Sequence, residues 1–372
     1  MRAPAAAWLP EPGTPEASVQ TPALIVDLDA LERNLDRMAD AARAAGVALR
    51  PHGKMHRSWA FAERQLARGA VGLCCQKVSE AEALVRAGLR DVFVSNEVRD
   101  PVKLARLAAL AREATVAVCV DAADGVADLA AAVASAETRV DVLVEIDAGA
   151  GRCGVATPEA AVALARAVAA APGLRFRGVQ SYHGGAQHVA DPDARRAVMD
   201  AATARTRAAV DALRDASLPP EVVTGGGTGS WRHEAASGLW TEVQCGSYAV
   251  LDADYARVRE GDDRLDERWD HALFVLASVM SDAHPSRAVL DAGHKAVAVD
   301  SGPPVAPGFA VLDLSDEHCT LADPNKRLAV GDRLRLIPGH CDPTVNLHDH
   351  VVALRGGVVE AVWPVTARGC GW

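Results

Sequence analysis

The 372-residue sequence lacks three features that would each assign it to a well-defined class of protein. No run approaches the roughly 18 consecutive apolar residues that a membrane-spanning helix needs. No basic stripe is present and the formal net charge is −10, which argues against nucleic acid as the main partner. The N-terminal residues Met1 to Ala7 hold too short an apolar run for a signal peptide. We therefore expect neither a membrane nor a nucleic-acid partner.

The eight cysteines include no CxxC pair, and most of them lie in apolar, strand-like runs. This distribution indicates reduced, partly buried thiols in a cytoplasmic protein. The chain is not poor in apolar residues, which make up 49% of it, so a large core can form. Its length allows two domains, or one large barrel with an appendage.

Strand-like and helix-like runs alternate from residue 47 to residue 246, which predicts a parallel sheet with right-handed crossovers. The strand-like runs are Val47–Pro51, Val71–Cys75, Asp91–Ser95, Thr115–Asp121, Asp141–Asp147, Phe176–Tyr182, Glu221–Thr224 and Glu242–Gly246. Eight is the strand number of a closed barrel, so we predict an α/β fold with a TIM-type (β/α)8 barrel. A doubly wound open sheet is the alternative. Leu24–Leu28 is a ninth strand, which we expect to join another domain.

After about residue 260 the sequence is rich in strand-like runs and nearly free of helix-like ones. The runs are His271–Ser281, Arg287–Ala292, Ala296–Asp300, Gly308–Leu314, Arg333–Pro338 and Val351–Pro364, with a hairpin turn within the last. We therefore predict a barrel over residues 30–260. An antiparallel β domain is predicted over residues 261–372, together with the N-terminal arm, residues 1–29.

Polar side chains follow almost every barrel strand, where the active sites of such barrels gather. These residues are Lys54, Gln76, Asn96, Asp121, Asp147, Arg152, Tyr182, His183, Thr224 and Ser247. An open sheet would also place ligands at strand ends, but it would not place them around a full circle.

The stretch from Arg50 to His56 holds a single lysine, Lys54, after the first barrel strand. A lysine becomes a useful nucleophile when neighbouring positive charge or desolvation lowers its pKa. Arg50, His52 and His56 could supply that charge. The alternative is a surface lysine in a basic loop.

Residues 224–230, here called the glycine run, read Thr-Gly-Gly-Gly-Thr-Gly-Ser and follow the seventh strand. Glycines let successive backbone amides approach a phosphate closely, and the loops after strands 7 and 8 are the usual phosphate site of such barrels. Gly246-Ser247-Tyr248 ends the eighth strand and would complete the site. An ordinary tight loop remains the alternative.

Two further groups of candidate residues follow barrel strands. Arg152 lies in a glycine-rich loop after the fifth strand, either as a surface residue or as a cation aimed at the barrel mouth. Tyr182, His183 and His188 follow the sixth strand, where two histidines favour an acid–base role.

A candidate metal site lies in the β domain, where His340 and Asp342 flank Cys341. In a strand, residues two apart face the same side, so His340 and Asp342 could chelate one ion while Cys341 points away. Imidazole with carboxylate favours Mn²⁺ or Mg²⁺, with Zn²⁺ possible. A turn before Pro343 with a structural histidine is the alternative.

Taken together, these motifs give the chain a specific resemblance to the D-threonine aldolase and D-serine dehydratase family of pyridoxal-phosphate enzymes, which share an alanine-racemase-type barrel. The resemblance runs from Thr21 almost to the C-terminus. It is carried by seven motifs, which begin at Arg50, Val78, Ile146, Tyr182, Thr224, Asp291 and Pro338. Met55 departs from the pattern, because the family commonly has threonine after the lysine.

The resemblance implies a role for each candidate residue. Lys54 would hold pyridoxal 5′-phosphate as a Schiff base, Arg152 would face its pyridine nitrogen, and His188 would be the catalytic base. His340 and Asp342 would bind a divalent metal. The remaining cofactor-binding residues would be Tyr182, Thr224, Gly225, Gly226, Gly227, Thr228, Ser247 and Tyr248.

The implied activity is metal-assisted cleavage of D-3-hydroxy amino acids, of the D-threonine type, to glycine and an aldehyde. The resemblance assigns His-x-Asp to the aldolases and His-x-Cys to the dehydratases. Cleavage of 3-hydroxy-D-aspartate, dehydration of D-serine or 3-hydroxy-D-aspartate, and a non-catalytic cofactor carrier are the alternatives. We expect a cytoplasmic homodimer whose partner is a small-molecule substrate.

Overall fold

The computed structural model describes residues 8–372, so the first seven residues of the predicted N-terminal arm lie outside the described residues. The chain forms two compact units. The β unit contains the residues up to Asp36, Met55–Ala60 and Ser247–Arg368. The barrel unit contains Arg37–Lys54, Phe61–Gly246 and Gly369–Trp372.

The strands and helices follow one another along the chain with short connections. The strands are β1 (Ala23–Asp27), β2 (Ala48–Leu49), β3 (Leu73–Cys75), β4 (Asp91–Glu97), β5 (Thr115–Val120), β6 (Val140–Ile146), β7 (Leu174–Ser181), β8 (Val222–Gly225), β9 (Glu242–Val243), β10 (Arg259–Glu260), β11 (Asp263–Arg264), β12 (Leu273–Ser281), β13 (Arg287–Leu290), β14 (Val311–Leu314), β15 (Cys319–Ala322), β16 (Arg333–Leu336), β17 (His350–Arg355) and β18 (Val358–Pro364). The α-helices are α1 (Leu28–Ala44), α2 (Trp59–Leu66), α3 (Val78–Ala87), α4 (Pro101–Leu110), α5 (Ala123–Ala136), α6 (Pro158–Ala170), α7 (Pro192–Asp215), α8 (Trp231–Ala236), α9 (Ala253–Ala256) and α10 (Cys341–Leu347). No helix among these is both long enough and apolar enough to cross a membrane.

The barrel unit is a parallel sheet of the eight strands β2 to β9, in the order β2-β9-β8-β7-β6-β5-β4-β3. The two outermost strands of this order also meet, because His52 forms a parallel bridge with Cys74. The Cys74 amide donates to the Pro51 carbonyl at 2.9 Å, and the Val71 amide donates to the Leu49 carbonyl at 2.9 Å. The sheet therefore closes on itself. The predicted (β/α)8 barrel is confirmed, and the open-sheet alternative is excluded.

Burial explains why the barrel strands could be recognised in the sequence. Every residue of β6 is buried, as expected of a strand covered on both faces. Cys74, Phe93, Ala117, Cys119 and Leu143, from four neighbouring strands, form one buried cluster. These side chains form an apolar part of the barrel core.

The β unit contains a mixed sheet in the order β14-β15-β13-β12-β1-β17-β18, with β16 paired to β12. Strand β1 runs antiparallel to β12 and parallel to β17. The predicted ninth strand therefore joins this sheet. The predicted hairpin is also present, because β17 pairs with β18 across a turn at Gly356 and Gly357.

Two predictions about the β unit are wrong. The run Ala296–Asp300 forms turns, because the amides of Ala296 and Val297 both donate to the Gly293 carbonyl at 2.9 Å. The segment after His340 was read as a strand, but it continues as the short helix α10. The carboxylate of Asp252 accepts the Cys341 amide at 3.0 Å. That contact joins residues far apart in the sequence and stabilises the start of α10.

Candidate active site

Lys54 lies in a short 3-10 turn, Gly53–Met55, at the end of β2 on the barrel rim. The turn packs closely against β3, because a Cβ on Gly53 would lie 3.1 Å from a Leu73 methyl and 3.3 Å from the Cys74 carbonyl. The Lys54 amide points to Nδ1 of His52 at 3.4 Å, and Nε2 of His52 lies 3.2 Å from the Ser95 hydroxyl. The half-buried lysine is thus carried on a well-anchored turn.

The hypothesis that Arg50 supplies positive charge to Lys54 is wrong. Arg50 is buried, its Nε donates to Glu242 at 3.0 Å and its Nη1 donates to Asp91 at 2.6 Å. These carboxylates belong to the first residues of β9 and β4, at the end of the barrel opposite the rim. His56, also buried, accepts the Ser58 amide on Nδ1 at 3.1 Å and so stabilises its own loop.

The glycine run leaves β8 beside β7, and the fit is too tight for a side chain. A Cβ on Gly225 would lie 2.0 Å from the Ser181 carbonyl. Gly226 has a φ of +75°, in the region that favours glycine. The Thr224 hydroxyl donates to Glu242 at 2.8 Å, inside the barrel wall, which leaves only its backbone for the run. Thr228 is buried within the run.

Buried polar side chains form hydrogen bonds with the end of the glycine run. Gln187 donates from Nε2 to the Ser230 hydroxyl at 2.6 Å, and that hydroxyl donates to Glu234 at 2.8 Å. Burial raises the pKa of Glu234 to about 7, although the Ser230 hydrogen bond opposes the shift. Oε2 of Glu234 is buried without a hydrogen-bond partner. A neutral carboxyl is therefore the form that this site favours.

Glu234 gives the folded protein a specific dependence on pH. Its raised pKa means that the native state keeps a proton that the unfolded state releases between about pH 4.5 and about pH 7. The free energy of unfolding therefore falls as pH rises through this window, by up to about 1.4 kcal/mol per unit. Glu234→Gln should lack this contribution in denaturant titrations across the window, whereas exposed Glu159→Gln should retain it. Identical slopes for Glu234→Gln and the wild type would contradict the assignment.

Arg152 lies in the loop after β6, half-exposed beside two barrel residues. Its guanidinium lies 5.7 Å from the ring centroid of Tyr182, and its Nη2 lies 3.9 Å from Oε1 of Glu145. Glu145 is buried and accepts a hydrogen bond from Gln180 at 2.6 Å. Burial, together with the nearby Glu97, raises the pKa of Glu145 to about 8. The sequence analysis missed Glu145, although an acid in the otherwise apolar end of β6 was a usable signal.

The two histidines after β7 have different surroundings. Nδ1 of His183 accepts the Ala186 amide at 3.1 Å, so His183 caps the 3-10 turn Gly184–His188. His188 ends the same turn, and its side chain is exposed to solvent. Of the two, His188 is the more exposed, and Nδ1 of His183 is used within its own turn.

Ser247 and Tyr248 form a 3-10 turn with Ala249, and all three are buried in the β unit. The Tyr248 ring packs edge-on against Trp269, with centroids 5.8 Å apart. Met55, the residue that departs from the family pattern, is 1% exposed in the same unit. Its side chain therefore has a core environment.

His340 and Asp342 lie together in the β unit, but not in a strand. His340 is the extended residue before α10 and Asp342 lies in the first turn of that helix, with Nε2 of His340 3.8 Å from Oδ1 of Asp342. Nδ1 of His340 lies 2.6 Å from the carboxylate of Asp300, a partner that the sequence analysis missed. Cys341 is buried, and its Sγ lies 3.8 Å from the Leu251 carbonyl. The expected pairing is present, although the strand argument for it is wrong.

Comparison with known proteins gives matches along nearly the whole chain. The alanine racemase N-terminal domain matches residues 26–254, and a putative serine dehydratase domain matches residues 272–354. The 3-hydroxy-D-aspartate aldolase of Paracoccus denitrificans (strain Pd 1222) is 53% identical over 368 residues, which cover 97% of this chain and 95% of that protein. The crystal structure of D-threonine aldolase from Filomicrobium marinum has a TM-score of 0.93 at 49% identity and covers 100% of both chains.

A dehydratase is also similar, at lower identity. D-threo-3-hydroxyaspartate dehydratase from Delftia sp. HT23 has a TM-score of 0.83 at 28% identity, covering 96% of this chain and 100% of that one. Structures of that dehydratase are known with alanine in place of a histidine and in place of a cysteine two positions later, the second in a metal-free form. The spacing of that pair equals the spacing of His340 and Asp342.

Proposed function

The chain belongs to the family built on the alanine racemase N-terminal domain, and from this premise we propose that it is a pyridoxal-phosphate-dependent lyase. The reaction proposed is the retro-aldol cleavage of D-3-hydroxy amino acids, of the D-threonine type, to glycine and an aldehyde. The observation that carries the proposal is the His340–Asp342 pair, in a chain 53% identical to an aldolase over nearly its full length. The dehydratase discussed above has cysteine, not aspartate, at the matching spacing.

The donor set of the barrel unit fits pyridoxal 5′-phosphate. Lys54 supplies a primary amine for its aldehyde, and Arg152 supplies a cation for its pyridine nitrogen, with Tyr182 beside that cation. Within the barrel unit, the phosphate would be held by the backbone of Thr224 and by Gly225, Gly226, Gly227 and Thr228. Ser247 and Tyr248, which belong to the β unit, stay predicted cofactor-binding residues. When bound, the cofactor would supply a sink for the electron pair that remains at Cα after the Cα–Cβ bond breaks.

The donor set of His340 and Asp342 fits a divalent ion that accepts nitrogen and oxygen ligands, with Mn²⁺ or Mg²⁺ favoured over Zn²⁺. Such an ion would lower the pKa of the substrate hydroxyl. The Asp300 carboxylate, 2.6 Å from Nδ1 of His340, would orient the imidazole so that Nε2 faces the ion. Asp252 accepts the Cys341 amide at 3.0 Å and would thereby fix the backbone between the two ligands.

A residue of the protein would then accept the proton of the substrate hydroxyl. His188, at the exposed end of its turn, would accept the proton of the substrate hydroxyl as the carbonyl of the aldehyde forms. Cα would take up one proton to complete glycine, so the reaction releases no net proton, and the exposure of His188 would let it exchange its proton with solvent. Capping by His183 would stabilise the backbone of the turn that carries His188.

The 53% identity to a 3-hydroxy-D-aspartate aldolase supports a second substrate, 3-hydroxy-D-aspartate, for the same reaction. Both substrates should be incubated with Mn²⁺-restored protein, with their L-isomers as controls. Glycine with acetaldehyde, or glycine with glyoxylate, identifies the aldolase and its preferred side chain. Ammonia with a 2-oxo acid would instead identify a dehydratase, and no product from any D-3-hydroxy amino acid would favour a cofactor carrier.

Two further parts of the proposal concern the state of the protein in the cell. All eight cysteines are free thiols, which supports a cytoplasmic location. We include a homodimer in the proposal, to be tested by sedimentation of the cofactor-loaded protein at several concentrations.

A further inference from the structure

Gln187 is a fully buried side chain to which the proposed reaction gives no role. It directly precedes His188 in the turn Gly184–His188. We propose that Gln187 is a positioning residue that fixes the glycine run to this turn, and thereby sets how strongly the run binds a phosphate group. The inference rests on the proposed function, because it takes the run as the phosphate site.

The first support is steric, because Gln187 occupies the space that two side chains of the run would need. A Cβ on Gly227 would lie 2.5 Å from Oε1 of Gln187. A Cβ on Gly229 would lie 2.6 Å from the backbone carbonyl of Gln187. A side chain at Gly229 would collide with the backbone of Gln187, and a side chain at Gly227 would displace the amide group of Gln187.

The second support is the way in which the amide group of Gln187 is used. Oε1 accepts the Gly229 amide at 3.0 Å, while Nε2 donates to the Ser230 hydroxyl at 2.6 Å and faces the His183 carbonyl at 3.3 Å. A backbone N–H can only donate and a carbonyl can only accept, so one orientation of the side-chain amide satisfies all three partners. The amide thus joins the run to both ends of the turn.

The third support is that the hydrogen bonds continue into the core. The Ser230 hydroxyl donates to Glu234 at 2.8 Å, which leaves its lone pairs for Gln187 and for the Gly227 amide at 3.4 Å. Without Gln187, the Gly229 amide and the Ser230 hydroxyl would lose partners in the interior, a costly arrangement. The backbone of the glycine run would then become more mobile. Binding an anion would have to order that backbone again, which would lower the affinity for the anion.

The test compares two ligands of the cofactor-free protein, pyridoxal 5′-phosphate and pyridoxal, which lacks the phosphate. Dissociation constants from absorbance titration give the preference for the phosphorylated form, independently of activity. We expect Gln187→Leu to reduce this preference by about tenfold, equivalent to about 1.4 kcal/mol. Its affinity for pyridoxal should match that of the wild type.

Two further variants separate positioning from loss of stability. Gln65→Leu removes another buried glutamine of the barrel unit, on α2, and should retain the wild-type preference. Ser230→Ala deletes the hydroxyl that links Gln187 to Glu234 and should reduce the preference in the same direction. If Gln187→Leu does not fold, the Ser230→Ala variant still tests the inference.

The outcomes distinguish the inference from the function beneath it. Loss of preference in the Gln187 and Ser230 variants, with retention in Gln65→Leu, supports the inference. If the Gln187 and Ser230 variants both keep the wild-type preference for the phosphorylated ligand, the inference is overturned and the proposed function stays intact. Equal loss in Gln65→Leu also overturns it, because the effect is then general. A wild type that binds both ligands equally overturns the phosphate role of the run, and the inference with it.

Discussion

Replacing Lys54 by alanine is expected to abolish the visible absorption band of the bound cofactor and to reduce activity to background. Covalent attachment of pyridoxal 5′-phosphate needs a primary amine, and Lys54 is carried on a turn held tightly against β3. Absorption spectra of the reconstituted variant give the first measurement. Borohydride reduction of the wild type, followed by peptide mapping, should place the cofactor on the peptide that contains Lys54.

Lys77 offers a matched control, because it also follows a barrel strand on the rim, immediately before α3. Lys77→Ala should retain the absorption band and most of the activity. An unchanged spectrum in Lys54→Ala, or a lost band in Lys77→Ala, would show that the cofactor is attached elsewhere.

Replacing Asp342 by alanine is expected to remove metal-dependent activity while the absorption band of the cofactor remains. The variant loses the carboxylate of Asp342, which lies 3.8 Å from Nε2 of His340, so the ion would keep a single protein ligand of the pair. We expect metal affinity to fall by more than about a hundredfold. This loss is larger than the loss caused by removing a residue that only hydrogen-bonds to a metal ligand. Titration of metal-stripped protein with Mn²⁺, followed by spin resonance, measures it directly.

Asp313→Ala provides a control on exposed strand β14 of the same unit, and it should bind Mn²⁺ as the wild type does. Asp342→Cys should shift the metal preference towards zinc, because a thiolate is a softer ligand. If the cofactor band disappeared in Asp342→Ala, the separation of cofactor and metal roles proposed here would be wrong.

The barrel could be predicted from the sequence because its signals are local. Most barrel strands are short runs of mainly buried residues, and the caps at Asp100 and Thr157 accept the amides of Lys103 and Ala160 at 3.0 and 3.2 Å, within three residues. Placing a residue after a strand then places it on the rim, which applies to Lys54 and to the glycine run. No further structural information was needed for those two features.

The rest of the site depends on contacts between distant residues, and a single sequence does not reveal them. Asp252 stabilises the start of α10, so a segment read as a strand became a helix. Arg50 lies four residues from Lys54, yet its carboxylate partners direct its charge to the other end of the barrel. Asp300 was missed for the same reason, since its partner His340 lies 40 residues further along the chain.

The position of β1 in its sheet has a consequence for how the chain folds. Ala23 pairs with Leu276 and Ile25 pairs with Val352, so β1 pairs with strands that a ribosome makes much later. Strands β3 to β8 of the barrel, in contrast, pair with neighbours made one after another. Sequence-local pairing forms early and distant pairing forms late. During synthesis the barrel can therefore begin to form while β1 still lacks both neighbours, so the sheet that contains β1 belongs to the last part of the molecule to fold.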